Sequence, residues 1–187
     1  MKPAVTIILL LAIIASGMVL TLSAVKKNQD TRNRTSTALI APMTISTTKT
    51  AVKVGDEVLV DVTLDASSMV VYAADVVVTF DPGTFSGVSF VNGGFFPANF
   101  TLLPGQIAAG TARIALSNQP GGLISGKGTL ATLKLKALHY SKSSPVVLSA
   151  LTRVSTTNSA LAAATPQTLQ IQVCNDFNRN NKCTKGK

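Results

Sequence analysis

Cys174 and Cys183 stand nine positions apart and enclose Asp176, Asn178 and Asn180 at alternate positions. Oxygen side chains at that spacing supply the first, third and fifth ligands of a twelve-residue calcium loop. Asn181 fills the sixth position, where glycine serves best, and asparagine tolerates the left-handed backbone needed there. The twelfth position is Lys187 and not a bidentate glutamate. One carboxylate among several lysines implies weak calcium binding at most. The two thiols read more simply as a small-loop disulfide, as expected for a cysteine pair in an exported chain. Without a second pair they make a poor zinc site.

Catalytic chemistry has little to work with. His139 is the only histidine, so no histidine relay or histidine metal cluster forms within one chain. It follows the lysines of a strand end and is expected to be exposed. No serine lies in a Gly-x-Ser-x-Gly elbow. Asp56 and Asp61 flank one strand and Asp81 belongs to a turn. A glycosidase pair needs two carboxyls across a cleft, and nothing else in the chain supports one. The expectation is a protein that binds and does not catalyse.

The elements that must carry these residues are strands. Val58, Val60, Val62 and Leu64 alternate with Leu59, Asp61 and Thr63. A period of two gives an extended strand one apolar and one mostly wet face. The pattern returns at Ala74-Val76-Val78-Phe80 and at Ala131-Leu133-Leu135-Ala137. Such half-buried strands need a second sheet over them, hence a β-sandwich. Turn signals recur every 8 to 12 residues, the spacing of a sandwich: Val54-Gly55-Asp56, Asp65–Ser68, Asp81-Pro82-Gly83, Asn92-Gly93-Gly94, Pro104-Gly105 and Gly110. A loop is expected from Gln119 to Gly128; there is no internal repeat, and the Ala160–Ala164 run is too short to matter as one. Phe95, Phe96 and Phe100 form the only aromatic cluster. With no Trp in the chain to stack a sugar, they are expected in the core or as a loop plug.

Residues Ala4–Val25 carry no charge and are rich in Leu, Ile, Ala and Val. As a helix they reach across the roughly 30 Å hydrocarbon layer of a bilayer. An uncleaved signal-anchor helix over residues 1–27 is expected. The alternative is a signal peptide cleaved near Ala15-Ser16-Gly17, which would release a secreted protein. Residues 28–38 read as a flexible stalk, 39–173 as the sandwich, and 174–187 as a polar basic tail with the disulfide loop. The lysines and arginines after the helix favour a cytoplasmic position for that flank, whereas the domain type and the cysteine pair favour the outside, and the latter is preferred. The net charge of +9 sits in the stalk and the tail while the sandwich is nearly neutral. Basic residues beside a membrane helix suit anionic head groups or wall polymers. Without aromatic interleaving for base stacking, nucleic acid is excluded as the expected partner. Two glycosylation sequons, Asn33-Arg34-Thr35 and Asn99-Phe100-Thr101, are near chance in a Thr-rich chain.

Three segments carry a resemblance to a known family: Val54-Gly55-Asp56-Glu57-Val58-Leu59-Val60-Asp61-Val62, Asp75-Val76-Val77-Val78-Thr79-Phe80-Asp81-Pro82, and Gly126 to Ala137 with its Gly-x-Leu-Ala-x-Leu strand. In order and spacing they resemble the cohesin domain over roughly Leu39–Val173. The resemblance implies an all-β, nine-stranded jelly-roll sandwich related to carbohydrate-binding modules. It implies a non-catalytic extracellular module that holds dockerin modules of polysaccharide-degrading enzymes or attaches proteins to a cell surface. Family members often carry an Asn and an Asp, two apart, on the strand before the Phe-Asp-Pro end, where they meet the dockerin. Asp75 matches that Asp, and Ala73 stands where the Asn would be; Asp75 read without the family is a solvated residue on an outer strand face. The tail residues Asp176, Asn178 and Asn180 likewise resemble the first half of a dockerin or EF-hand repeat. Direct carbohydrate binding and a structural, pilus-like surface role remain as alternative functions.

Overall fold

A computed structural model describes residues 40–97, 101–119, 122–156, 161–178 and 182–184. The expected membrane helix and stalk, Phe100 and both sequon asparagines lie outside these residues. Among the described residues no helix is long and apolar enough to cross a membrane. Residues Ala38–Lys187 form one compact unit.

That unit is all β. Its strands are β1 (Ile40–Ala41), β2 (Met43–Thr47), β3 (Ala51–Lys53), β4 (Glu57–Phe80), β5 (Phe85–Asn92), β6 (Thr101–Ala108) and β7 (Thr111–Ser117). They continue with β8 (Ile124–Ala137), β9 (Ser141–Leu148), β10 (Arg153–Thr156), β11 (Leu161–Ala164), β12 (Gln167–Cys174), β13 (Asp176–Phe177) and β14 (Cys183–Thr184). Strand β4 organises the fold because its two halves belong to different layers. Its first half pairs with β2 on one side and β8 on the other, and β5 extends β8. Its second half pairs with β7 and β10, which are extended by β6 and by β11 with β1. Strand β9 pairs with the end of β4 and with β12, and β12 runs parallel to β3. This links the two layers along one side.

The inward positions are those of the alternation. Val58, Val60, Val62, Leu64, Ala74, Val76, Val78 and Phe80 are all buried and share one core cluster with Leu133, Leu135, Ile114 and Leu148. Phe96 is buried in the same cluster, and Phe95 packs edge-on against it with ring centroids 5.3 Å apart.

Several expected turns are resolved differently. Asp65–Ser68 does not end the strand. Asp65 accepts from the Ser67 N–H and hydroxyl, as an Asx turn would, but the chain continues as a bulge that shifts register between Ala66 and Val71. The bend lets β4 cross between layers, a use of bulges at sheet corners. Pro104-Gly105 is likewise absorbed into β6, within a register shift between Leu103 and Gln106. A Cβ on Gly105 would lie 1.8 Å from the Phe90 carbonyl oxygen, so glycine permits β5 and β6 to touch. Leu161–Ala164, where no strand was expected, is strand β11, with Ala162 and Ala164 buried. The short strands β1, β10, β11, β13 and β14 account for fourteen strands among the described residues where about nine were expected.

Candidate functional site

Inward residues of the second half of β4 leave Ala73, Asp75, Val77 and Thr79 on its outer face. Across the second layer these positions align in register. One row runs Ile40, Ala163, Arg153, Asp75, Ala115 and Leu103, one residue from each of six strands. A neighbouring row runs Leu161, Ser155, Ala73 and Ser117. Paired residues in a ladder project to the same side, so these rows form one surface.

Its centre is an ion pair. Arg113 donates from Nε to Asp75 Oδ1 at 2.9 Å and from Nη2 to Oδ2 at 2.6 Å, a bidentate fork. The carboxylate raises the Arg113 pKa, chiefly through this hydrogen bond and then through its charge. Arg153 flanks Asp75 on the other side in register, but its guanidinium donates to the carbonyls of Ala150 and Thr152. Beside the pair lies a shallow apolar depression with Ala73 and Ala115 in its floor and Leu102 and Leu161 at its rim. Both leucines are about two-thirds exposed, at 68% and 64%.

The connection between β9 and β10 is tied to β4 beside this face. Strand β9 leaves β4 after Leu148 and β10 joins it at Arg153, and Thr152 fills the gap. Its buried hydroxyl accepts from the Val77 N–H at 3.0 Å and donates to the Val77 carbonyl at 3.1 Å. Those side-chain bonds stand in for ladder bonds that a continuous strand would make.

The outer face of the first layer has a different character. Glu57 pairs with Lys134 at 3.2 Å and Asp61 accepts the Thr132 hydroxyl at 2.6 Å, around a half-exposed Leu59. It is a charged, wet surface.

The other expected sites fall elsewhere. Cys174 and Cys183 form the expected disulfide, with a Cα–Cα distance of 5.1 Å. Cys174 is the buried last residue of β12, so the tail hairpin β13–β14 is fastened directly to the sandwich. Asp176 gives Oδ1 to the Lys53 ammonium at 2.7 Å and to the Phe177 N–H at 2.8 Å. These two contacts and the lysine charge hold its carboxyl below the usual range. Asn178 accepts from the Lys182 N–H through Oδ1, and Asn180 lies outside the described residues. A calcium ion at Asp176 would have to displace the lysine. Among the described residues no three His, Cys, Asp or Glu side chains converge as metal ligands. His139 is exposed.

Leu102, Leu161, Ile40, Arg113 and Arg153 were not expected at the Asp75 surface. One signal was present: Arg113 and Arg153 are the only arginines between Arg34 and Arg179.

Comparison with known proteins agrees with this architecture. The family model for the Cohesin domain matches residues 43–173. No curated protein matches the chain. Among solved structures, the cohesin module of a Clostridium perfringens family 33 glycoside hydrolase superposes with a TM-score of 0.61 at 14% identity, over 72% of this chain and 97% of that one. The sixth cohesin of Acetivibrio cellulolyticus scaffoldin B, solved in complex with a Cel5 dockerin, gives 0.56 at 17% identity over 71% and 99%. A non-cellulosomal cohesin from the archaeon Archaeoglobus fulgidus gives 0.54 at 15% over 71% and 91%. At these identities the superpositions show a shared fold. The family match spans most of the chain, and with the β4 crossover and the Phe80-Asp81-Pro82 strand end it supports one conclusion: the chain belongs to the cohesin domain family.

Proposed function

We propose that this protein is a non-catalytic, membrane-anchored extracytoplasmic module that holds a dockerin-type protein partner, in an assembly serving polysaccharide breakdown. The observation that carries the reading is the registered outer face around Asp75. It sits on the strand that family members use for dockerin contact, and it has the make-up of an interface: small apolar residues, exposed leucines, and charge limited to the Arg113–Asp75 pair and the flanking Arg153. The dockerins bound to related cohesins support the partner class.

The test is titration of the full chain, held in detergent, with dockerin modules in calcium. Asp75→Lys should weaken binding about tenfold or more, the cost of losing a central interface group. Leu59→Ser, on the opposite outer face, should leave it unchanged. Retention on insoluble polysaccharide with no protein partner present would replace this reading with direct carbohydrate binding.

A further inference from the structure

The docking face is unbalanced in charge. Asp75 is the sole carboxylate on β6, β7, β10, β11 and the second half of β4, set against Arg113 and Arg153. Each of its oxygens accepts a hydrogen bond from Arg113. A guanidinium has five N–H donors in a rigid fork. Arg113 spends two on Asp75, and its side chain is 55% exposed. The face therefore offers cationic donors, and its one carboxylate is already paired with a guanidinium.

Next to those donors the surface is apolar. Ala73 and Ala115 leave a recess between Leu102 and Leu161, where an asparagine at 73 would have placed an amide. The rows of Ala73 and Asp75 are two strand residues apart, roughly 7 Å, and Arg113, paired with Val77 in the next row, reaches back to place its guanidinium at the Asp75 row. One turn of a helix lying along β4 advances about 5.4 Å, and side chains one turn apart share a face.

We infer that the partner presents an aliphatic side chain to the Ala73–Ala115 recess and a carboxylate to Arg113, one helical turn apart on the same helix. Asp75 then acts as a positioning residue for Arg113 and does not itself accept hydrogen bonds from the partner. This rests on the dockerin-type reading and specifies which members of that class bind.

The experiment displays a dockerin library, with its helix contact positions randomised, and sorts it against the full chain in detergent. Clones enriched on the parent should carry Leu, Ile or Val at one position and Asp or Glu one turn away. On Arg113→Gln the acidic enrichment should fall about tenfold while the aliphatic preference stays. Asp75→Asn should shift the clones in the same sense as Arg113→Gln. On Ala73→Asn the aliphatic preference should give way to hydroxyl or amide side chains. Melting curves for each variant establish that the chain remains folded. Clones with Ser or Thr at the recess position, or an acidic preference indifferent to Arg113→Gln, overturn the inference and leave the dockerin reading intact. If no clone binds the parent, both fall together.

Discussion

Asp81 closes the turn after β4 by accepting the Thr84 hydroxyl at 2.6 Å and the Gly83 N–H at 2.9 Å. The hydroxyl first and the backbone amide second hold its carboxyl below the ordinary value. A carboxyl lowered in the folded state stabilises the fold above its unfolded pKa, near pH 4, and that contribution is lost as pH falls through the lowered folded value. Asp65, held low by Ser67, and Asp176, held low by Lys53, act in the same direction. Asp81→Asn should therefore lower thermal stability at pH 7 and flatten its further loss between about pH 4 and pH 2; melting curves from pH 2 to pH 7 decide it. A loss as steep as the parent's would show that other groups dominate. Ser144 is a different case. It faces the core from β9, almost fully buried, and its hydroxyl has no hydrogen-bond partner. A buried unpaired hydroxyl costs about 1 kcal/mol or more, so Ser144→Ala should unfold at the same or a higher denaturant concentration than the parent. A lower midpoint would mean that a water or a cavity governs that site.

At the scale of elements, the β6–β7 hairpin is joined by Ala109 and Gly110, with φ of 47° and 81°. Two left-handed residues suit a two-residue hairpin loop, where Asn-Gly is the favoured pair. Alanine pays for its Cβ there, so Ala109→Asn should raise stability by about 1 kcal/mol, read as a higher melting temperature with no change in partner binding. The strands themselves were legible in proportion to their alternation. The segments at Val58–Leu64, Ala74–Phe80 and Ala131–Ala137 lie where the period of two puts them, with the apolar set inward. Asp65–Ser68 and Pro104-Gly105 carry turn chemistry and yet lie inside strands. Tertiary pairing carries the backbone through each as a bulge and overrides the local preference. The short β10 and β11 were not legible, since four residues show too little periodicity and are ordered by their neighbours.

For the whole molecule, the proposed membrane anchor predicts that attachment and partner binding separate. Deleting residues 1–27 should move the protein from the membrane fraction to the soluble fraction while its dockerin titration stays unchanged; fractionation of both forms checks this. Persistent sedimentation of the shortened chain would assign membrane attachment to the basic stalk or the tail. By itself the sequence determined the class of architecture, because alternation dictates which face of each strand leaves water, and it determined the cohesin resemblance through Gly55-Asp56, Phe80-Asp81-Pro82 and the Gly128–Leu133 strand. It marked the disulfide through two cysteines with no other partner. It singled out Asp75, but not the company Asp75 keeps. Arg113, Ala115, Arg153 and Leu161 lie 38 to 86 residues further along the chain (113 − 75 and 161 − 75). Only the register of β7, β10 and β11 against β4 brings them to one surface. Register follows from the fit of the buried faces across the whole sheet, a property that no local stretch of sequence contains.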